Sequence, residues 1–375
     1  MVNHLGNWRN GELGNFITLK RGFDLPQQKR EDGQVPIFSS SGITGTHSTA
    51  MVNAPGVITG RYGTIGEVFY AAEDFWPLNT TLFVEDFHGN DAKFIYYFLK
   101  TLEWSKFTSA SAVPGINRNT VHKETVSLPD IETQRRIAST LSMLDEKIKT
   151  NTEINDNLEQ QAQSYFQELF VDNASPEWTT GTISDLGTVV GGSTPSKAKP
   201  EYYTESGIAW ITPKDLSINK SKFVSHGEND ITELGLKNSS AAIMPEGTVL
   251  FSSRAPIGYI AIAAGEVTTN QGFKSVVPKP EIGTPFVYFF LKNTLPVIEG
   301  MASGSTFKEV SGSTMKNAPA VIPDAETLAK FSDFCAPIFK QQRTLEEQNQ
   351  SLAKLRDSLL PKLMSGEIDV SAVQL

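Results

Sequence analysis

The feature that most constrains this chain is that it repeats itself. FIYYFLK at residues 94–100 returns as FVYFFLK at 286–292, with five of seven positions identical at a shift of 192. The same shift pairs Ile65 and Gly66 with Ile257 and Gly258, a shift of 191 pairs Asn79 with Asn270, and a shift of 194 pairs LPDIET at 128–133 with IPDAET at 322–327. Near the start, Trp8 and Trp178 align at a shift of 170, so the second half carries about twenty extra residues before Arg254. The chain is thus two homologous halves in tandem.

Each half opens with Gly-, Pro-, Ser- and Thr-rich sequence broken by short apolar runs such as Gly56–Thr59 and Gly247–Phe251, which are turn-bounded strand signals. Each half closes on apolar residues spaced alternately three and four apart, the pattern of a helical seam. The first seam runs Ile137, Leu141, Leu144, Ile148, Asn151, Asn155, Leu158, Ala162, Tyr165, Leu169. A shift of 194 gives the second: Phe331, Cys335, Ile338, Gln342, Leu345, Asn349, Leu352, Arg356, Leu359, Leu363. The polar members of these seams either align one helix against the other or face solvent. Pro337 predicts a kink or a new helical start, and Pro361 an end or a bend. The expected fold is α/β (α+β): two domains of mixed strands and short helices, at 1–128 and 173–322, each followed by a long helix, at 129–172 and 323–375, with the two long helices packing antiparallel.

Composition bounds the function. Hydrophobic content of 39% and charged content of 20% fit a globular chain of 375 residues and exclude a wholly disordered one. One cysteine, Cys335, excludes an intramolecular disulfide framework. With no apolar run of spanning length and no leader pattern, a prokaryotic cytoplasm is the expected compartment. The net charge of −9 is unevenly spread: residues 1–128 hold 11 basic and 12 acidic groups and 173–322 hold 12 and 13, whereas 129–172 hold 4 and 9 and 323–375 hold 6 and 8. The acid therefore lies on the helices, and the two near-neutral domains are left free to cluster their basic groups on one face.

These residues resemble a known family, the specificity subunits of type I restriction-modification systems. The second half carries the resemblance in GGSTPS at 191–196, WITPKD at 210–215, NQGFK at 270–274 and the C-terminal LRDSLLPKLMSGEIDV; the first half carries it in PIFSSSG at 36–42 and GRYGTIG at 60–66. The family's Glu-Gln pair at the start of each helix is Thr133-Gln134 and Thr327-Leu328 here. The resemblance implies a non-catalytic subunit whose two target-recognition domains each read half of an interrupted double-stranded DNA site. Its helices set the spacing and dock two methyltransferase subunits, which use S-adenosylmethionine. Motor-nuclease subunits, using ATP and Mg, join through these. The chain itself needs no cofactor or metal.

Candidate DNA ligands follow from residue type and placement. Arg61 and Arg254 each follow a strand-like run and precede a turn, where a guanidinium can grip phosphate or bridge guanine O6 and N7, or serve a structural ion pair. Phosphate is the expected ligand of Arg254. Ser39, Ser40, Ser41 and Thr44 offer donors in a Gly-containing loop or make a plain turn. Thr194, Lys197, Lys199, Lys214 and Lys274 are phosphate candidates or solvated surface residues; Asn79 and Asn270 pair with adenine or cap loops; Tyr62 stacks on nucleic acid or packs. Phe94, Tyr97 and Phe98 are expected in the core.

Catalytic signatures are missing. No phosphate-binding Gly loop and no Asn or Asp followed by Pro-Pro-aromatic occurs. His4, His47, His88, His122 and His226 have no metal-ligand spacing. Pro129-Asp130 followed by Asp145-Glu146-Lys147 imitates the spacing of a metal-dependent nuclease, the enzymatic alternative; a structural adaptor without DNA reading is the third reading.

Overall fold

The computed structural model describes residues 8–108, 114–304 and 308–370, and His4 lies outside them. The main helices are α1 (Ala92–Lys100), α2 (Ile131–Gln167), α3 (Thr284–Gly300) and α4 (Ala325–Met364). The chain forms two compact units, one of residues 1–148 with 350–375 and the other of 149–349, so each draws on part of both long helices.

In the first unit an antiparallel sheet orders Thr18–Arg21, Thr81–Asp86, Gly56–Gly60 and Val68–Ala71. Gly42–His47, Val35–Ser39 and Trp76–Pro77 form a second, smaller sheet. Asp91 caps α1 by accepting from the Phe94 backbone N–H at 2.8 Å. The helix then buries Phe94, Ile95, Tyr97, Phe98 and Leu99 against Leu19, Val57, Leu82 and Val84, with Ile137 and Leu141 of α2 and Leu363 of α4 in the same cluster. Each such side chain contributes roughly 1.5–3 kcal/mol on burial. The expected core role of Phe94, Tyr97 and Phe98 is what the structure shows.

The second unit repeats the plan with more strands. A five-stranded sheet runs Gly187–Gly191, Lys274–Pro278, Val249–Ser253, Ile257–Ala263 and Phe223–Val224, and a four-stranded sheet runs Tyr203–Thr204, Asn229–Ile231, Ile208–Ile211 and Thr268–Thr269. The equivalent of α1, α3, continues well past the repeated heptapeptide and accommodates Pro296 within it. The repeat is visible in register. Arg9 pairs with Leu128 at one end of a two-stranded ribbon in the first unit, and Thr179 with Ile322 in the second. These are the same positions at the shifts read from the sequence. Gly66 (φ 91°) and Gly258 (φ 92°) likewise share a left-handed conformation that side chains disfavour.

The long helices are antiparallel within each unit. In the second, Asn151 meets Asn349, Asn155 meets Gln342, and Tyr165 meets Phe334, so one numbering rises as the other falls. In the first, Asp145 meets Arg356. Every position of the two seams is buried or half-buried, which removes the solvent-facing reading of the polar ones. For each of the two prolines one of the expected alternatives falls. Pro337 and Pro361 both lie inside α4: Pro337 starts no new helix, and α4 runs on to Met364 after Pro361. At the end of α2, Phe166 is fully buried beside the half-buried Tyr165, which packs on Phe331 and Phe334 of α4 from its seam position.

Candidate nucleic-acid interface

In the first unit the turn after Gly56–Gly60 is clamped by backbone bonds. Arg61 N–H donates to Thr80 O at 2.8 Å, and Ile116 N–H donates to Arg61 O at 3.0 Å. Beside this turn lies a cleft of 760 Å³ lined by Lys20, Arg21, Arg61, Tyr62 and Gly115 to Asn119. The Arg61 guanidinium lies 4.5 Å from the Tyr62 ring centroid, and no carboxylate reaches it among the described residues. Lys20 pairs with Glu85, Arg21 lies 4.0 Å from Asp24, and Arg118 donates to Leu19 O at 3.5 Å. Of the serine loop, Ser40 packs against Gly60 and Gly63 and so borders the Arg61 turn. Ser39 and Ser41 are turned on each other, their hydroxyls 3.0 Å apart, and the Thr44 carbonyl accepts from Arg30 at 3.3 Å. Asn79 donates its amide to Asp24.

In the second unit a cleft of 470 Å³ is lined by Thr194, Lys197, Trp210, Thr212, Lys214, Asp215, Glu228, Arg254, Asn270 and Gln271. Thr212 caps a short helix in a reciprocal box with Asp215, whose carboxylate also accepts from the Glu228 N–H at 2.8 Å. Lys214 pairs with Glu228 at 2.6 Å, Thr194 donates to the Gln271 side chain, and Asn270 Oδ1 accepts from Gly272 N–H at 2.8 Å. Lys274 donates to Gln271 O at 3.3 Å. Glu309 sits 3.7 Å from Lys274 and 3.6 Å from Arg254. Lys199 is elsewhere, donating to the Tyr202 hydroxyl at 3.1 Å.

The structure thus brings together Arg61 and Tyr62 in one cleft and Thr194, Lys197, Lys214, Arg254 and Asn270 in the other. It adds Lys20, Arg21, Arg118 and Gln271 to the clefts and Glu309 beside Arg254, all of which sequence reasoning missed. Only Arg118, between two asparagines and opening a short helix, stood in a pattern that marks an exposed polar turn.

The nuclease alternative fails on geometry. Asp130 is a helix cap, accepting from Thr133 N–H at 2.9 Å, and Asp145 lies roughly 20 Å further along α2 at 1.5 Å per residue. There it accepts from the Tyr97 hydroxyl at 2.6 Å and from Arg356 at 2.7 Å. Among the described residues no three His, Cys, Asp or Glu groups are arranged to hold a metal ion, and no helix is long and apolar enough to cross a membrane.

The type I restriction modification DNA specificity domain model matches residues 6–160 and 176–354. The MjaIX specificity subunit of Methanocaldococcus jannaschii is 38% identical over 192 residues, which cover 51% of this chain and 44% of that protein. The HindI specificity subunit of Haemophilus influenzae is 24% identical, covering 72% of this chain and 75% of that one. The fold resembles the crystal structure of a type I restriction-modification S subunit from M. genitalium, with a TM-score of 0.63, 18% identity and 97% of each chain covered. Matched in both of its halves, the chain belongs to the family of type I restriction modification DNA specificity domains.

Proposed function

We propose that this chain is the sequence-reading, non-catalytic subunit of a type I restriction-modification complex, acting in a prokaryotic cytoplasm. Each unit reads one half of a bipartite, interrupted site in double-stranded DNA, with 1–128 and 173–322 as the recognition domains. The long helices set the spacing between half-sites and dock two methyltransferase subunits, through which motor-nuclease subunits join. The single observation carrying this reading is that each unit presents, beside the same turn of the repeated fold, a cleft with an arginine at its edge: Arg61 in one, Arg254 in the other. A repeated scaffold with unlike side chains in its clefts is what reading two unlike half-sites requires. With a net charge of −9, the chain depends on basic partners for firm grip on phosphate.

The test is to co-express the chain with its methyltransferase subunits and map methylated adenines in the host genome. A bipartite motif is expected, and exchanging residues 1–128 for the matching domain of a relative changes one half only. A continuous motif, or a change in both halves, refutes the reading. Sequence-independent binding by the assembled complex would favour an adaptor.

A further inference from the structure

The turns that carry Arg61 and Arg254 are equivalent, but the two arginines are one position apart. Ile116 N–H donates to the carbonyl of Arg61, and its counterpart Val310 N–H donates to that of Ser253, at 3.0 Å in both cases. Arg254 therefore occupies the place of Tyr62, and Glu309 the place of Gly115. In the first unit this pair of positions is an aromatic ring bridged to a glycine so close that any side chain there would strike the ring. In the second it is an ion pair. From that substitution we infer, resting on the DNA-reading function already proposed, that Arg254 reads a guanine in the half-site of the second unit and that Glu309 is the specificity-determining residue holding it to that task.

A guanidinium is drawn to phosphate by charge and to the guanine edge by two parallel N–H donors. Glu309 alters this balance in two ways. It lies 3.6 Å from one terminal nitrogen of Arg254, so it orients the fork while leaving other donors to point outward. It also places a negative charge beside Arg254 that repels any phosphate brought up to the same guanidinium. A guanine edge is neutral and meets no such repulsion. Both side chains are little more than a third exposed, open enough to meet a base. Of the other cations at the cleft, exposed Lys197 has no ion pair among the described residues and can take the backbone in place of Arg254. Lys274 is 15% exposed and already engaged by Gln271 O and Glu309, and Lys214 is paired with Glu228. An acid beside DNA weakens binding to every sequence, and such a cost is the mark of discrimination against wrong sites. This inference departs from the phosphate role expected for Arg254 from the sequence.

The experiment selects a randomised duplex library on the assembled complex of full-length chain and methyltransferase subunits, for wild type, Glu309→Gln and Arg254→Lys. Wild type selects a bipartite motif. Glu309→Gln, which removes one negative charge, raises affinity for unselected DNA by roughly threefold to tenfold and blurs one G·C position in a single half-site. Arg254→Lys keeps the charge but lacks the fork, so it loses the same position while affinity for unselected DNA stays within about twofold. The inference is overturned if Glu309→Gln changes neither quantity, if Arg254→Lys weakens all sequences alike, or if only Glu309→Gln blurs the position, which would make the carboxylate itself the reader. If wild type selects no motif, the proposed function falls and this inference with it; a motif insensitive to both variants removes the inference alone.

Discussion

Lys222, only 8% exposed, donates from its ammonium to the Glu159 carboxylate at 2.7 Å and to Gln342 Oε1 at 2.9 Å, beneath the ring of Phe339. Within the second unit a loop lysine is thus bound to both long helices at once. Lys292 donates to the same carboxylate at 2.6 Å, the Tyr288 hydroxyl also donates to it at 3.1 Å, and Glu346 accepts from the backbone N–H groups of Lys222 and Phe223. Burial alone would raise the Glu159 carboxyl, but the two ammoniums overcome it and hold the group at about 2. Burial pulls the Lys222 ammonium down to about 8 against that same attraction.

Removing one partner of such a cluster costs more than removing the pair, because the survivors stay buried and charged. Glu159→Gln is expected to cost about 3 kcal/mol in urea unfolding of the assembled complex, and Glu159→Gln with Lys222→Met to recover part of it. The pH dependence has a definite sign. A carboxyl depressed in the folded state stabilises fully above its unfolded value of 4.5, and that contribution is lost as pH falls toward about 2. The gap between wild type and Glu159→Gln therefore stays full at pH 7 and narrows below 4.5. A gap that widens on acidification contradicts the assignment.

Asn151 is fully buried and donates to Asn349 Oδ1 at 2.9 Å across the two helices of the second unit. Buried asparagine pairs reduce stability and select one alignment. Asn151→Leu with Asn349→Leu should raise stability by about 1 kcal/mol, while spin labels at Thr150 and Thr344 report a broader distance distribution. A narrow distribution in the double variant would mean that the apolar seam sets register by itself.

What could be read in advance divides by range. Seam residues such as Ile137, Leu141, Phe331 and Cys335 declared the long helices because helical spacing is a local property. The repeat, read as shifts, marked Trp8 with Trp178 and Leu128 with Ile322 as corresponding positions of the two halves. Pairings themselves stayed hidden: Arg9 meets Leu128 only after more than a hundred intervening residues fold. Lys222 had no signal at all, one of two lysines in a loop, with partners that come from three helices. Glu309 was equally silent, because its meaning lies in standing where the first unit has Gly115. The cleft arginines were legible as types at turns, and the shift of 192 set Arg61 opposite Ser253; the ion pair of Arg254 with Glu309 was not legible.

Arg61 is expected to behave unlike Arg254. Its guanidinium lies over Tyr62 with no acid among the described residues to pair with it, an arrangement suited to phosphate. Arg61→Ala should weaken binding to all duplexes alike and lower the salt slope of the assembled complex by about one unit, leaving the selected motif intact. Loss of one base preference with an unchanged salt slope would instead make Arg61 a base reader.

The Asp145 cluster separates a structural acid from a catalytic one. Asp145 accepts from Tyr97 of α1 and from Arg356 of α4, so a single carboxylate of α2 ties the recognition fold of the first unit to the helix beside it. Burial, reinforced by the bond to Asp145, pushes the Tyr97 hydroxyl well above its ordinary range, so it remains a donor throughout the neutral and mildly alkaline range. Asp145→Ala strands a half-buried guanidinium and a buried hydroxyl together, and the expected cost is about 1–3 kcal/mol. Asp145→Asn keeps one acceptor and should cost less. Arg356→Met removes the charge that Asp145 balances and should fall between them. If the residue is structural, all three variants shift urea unfolding of the complex, and purified chain with Mg cuts no duplex DNA with or without them. Cleavage by the wild-type chain alone, abolished by Asp145→Asn with no change in stability, would return the residue to catalysis and the nuclease reading with it.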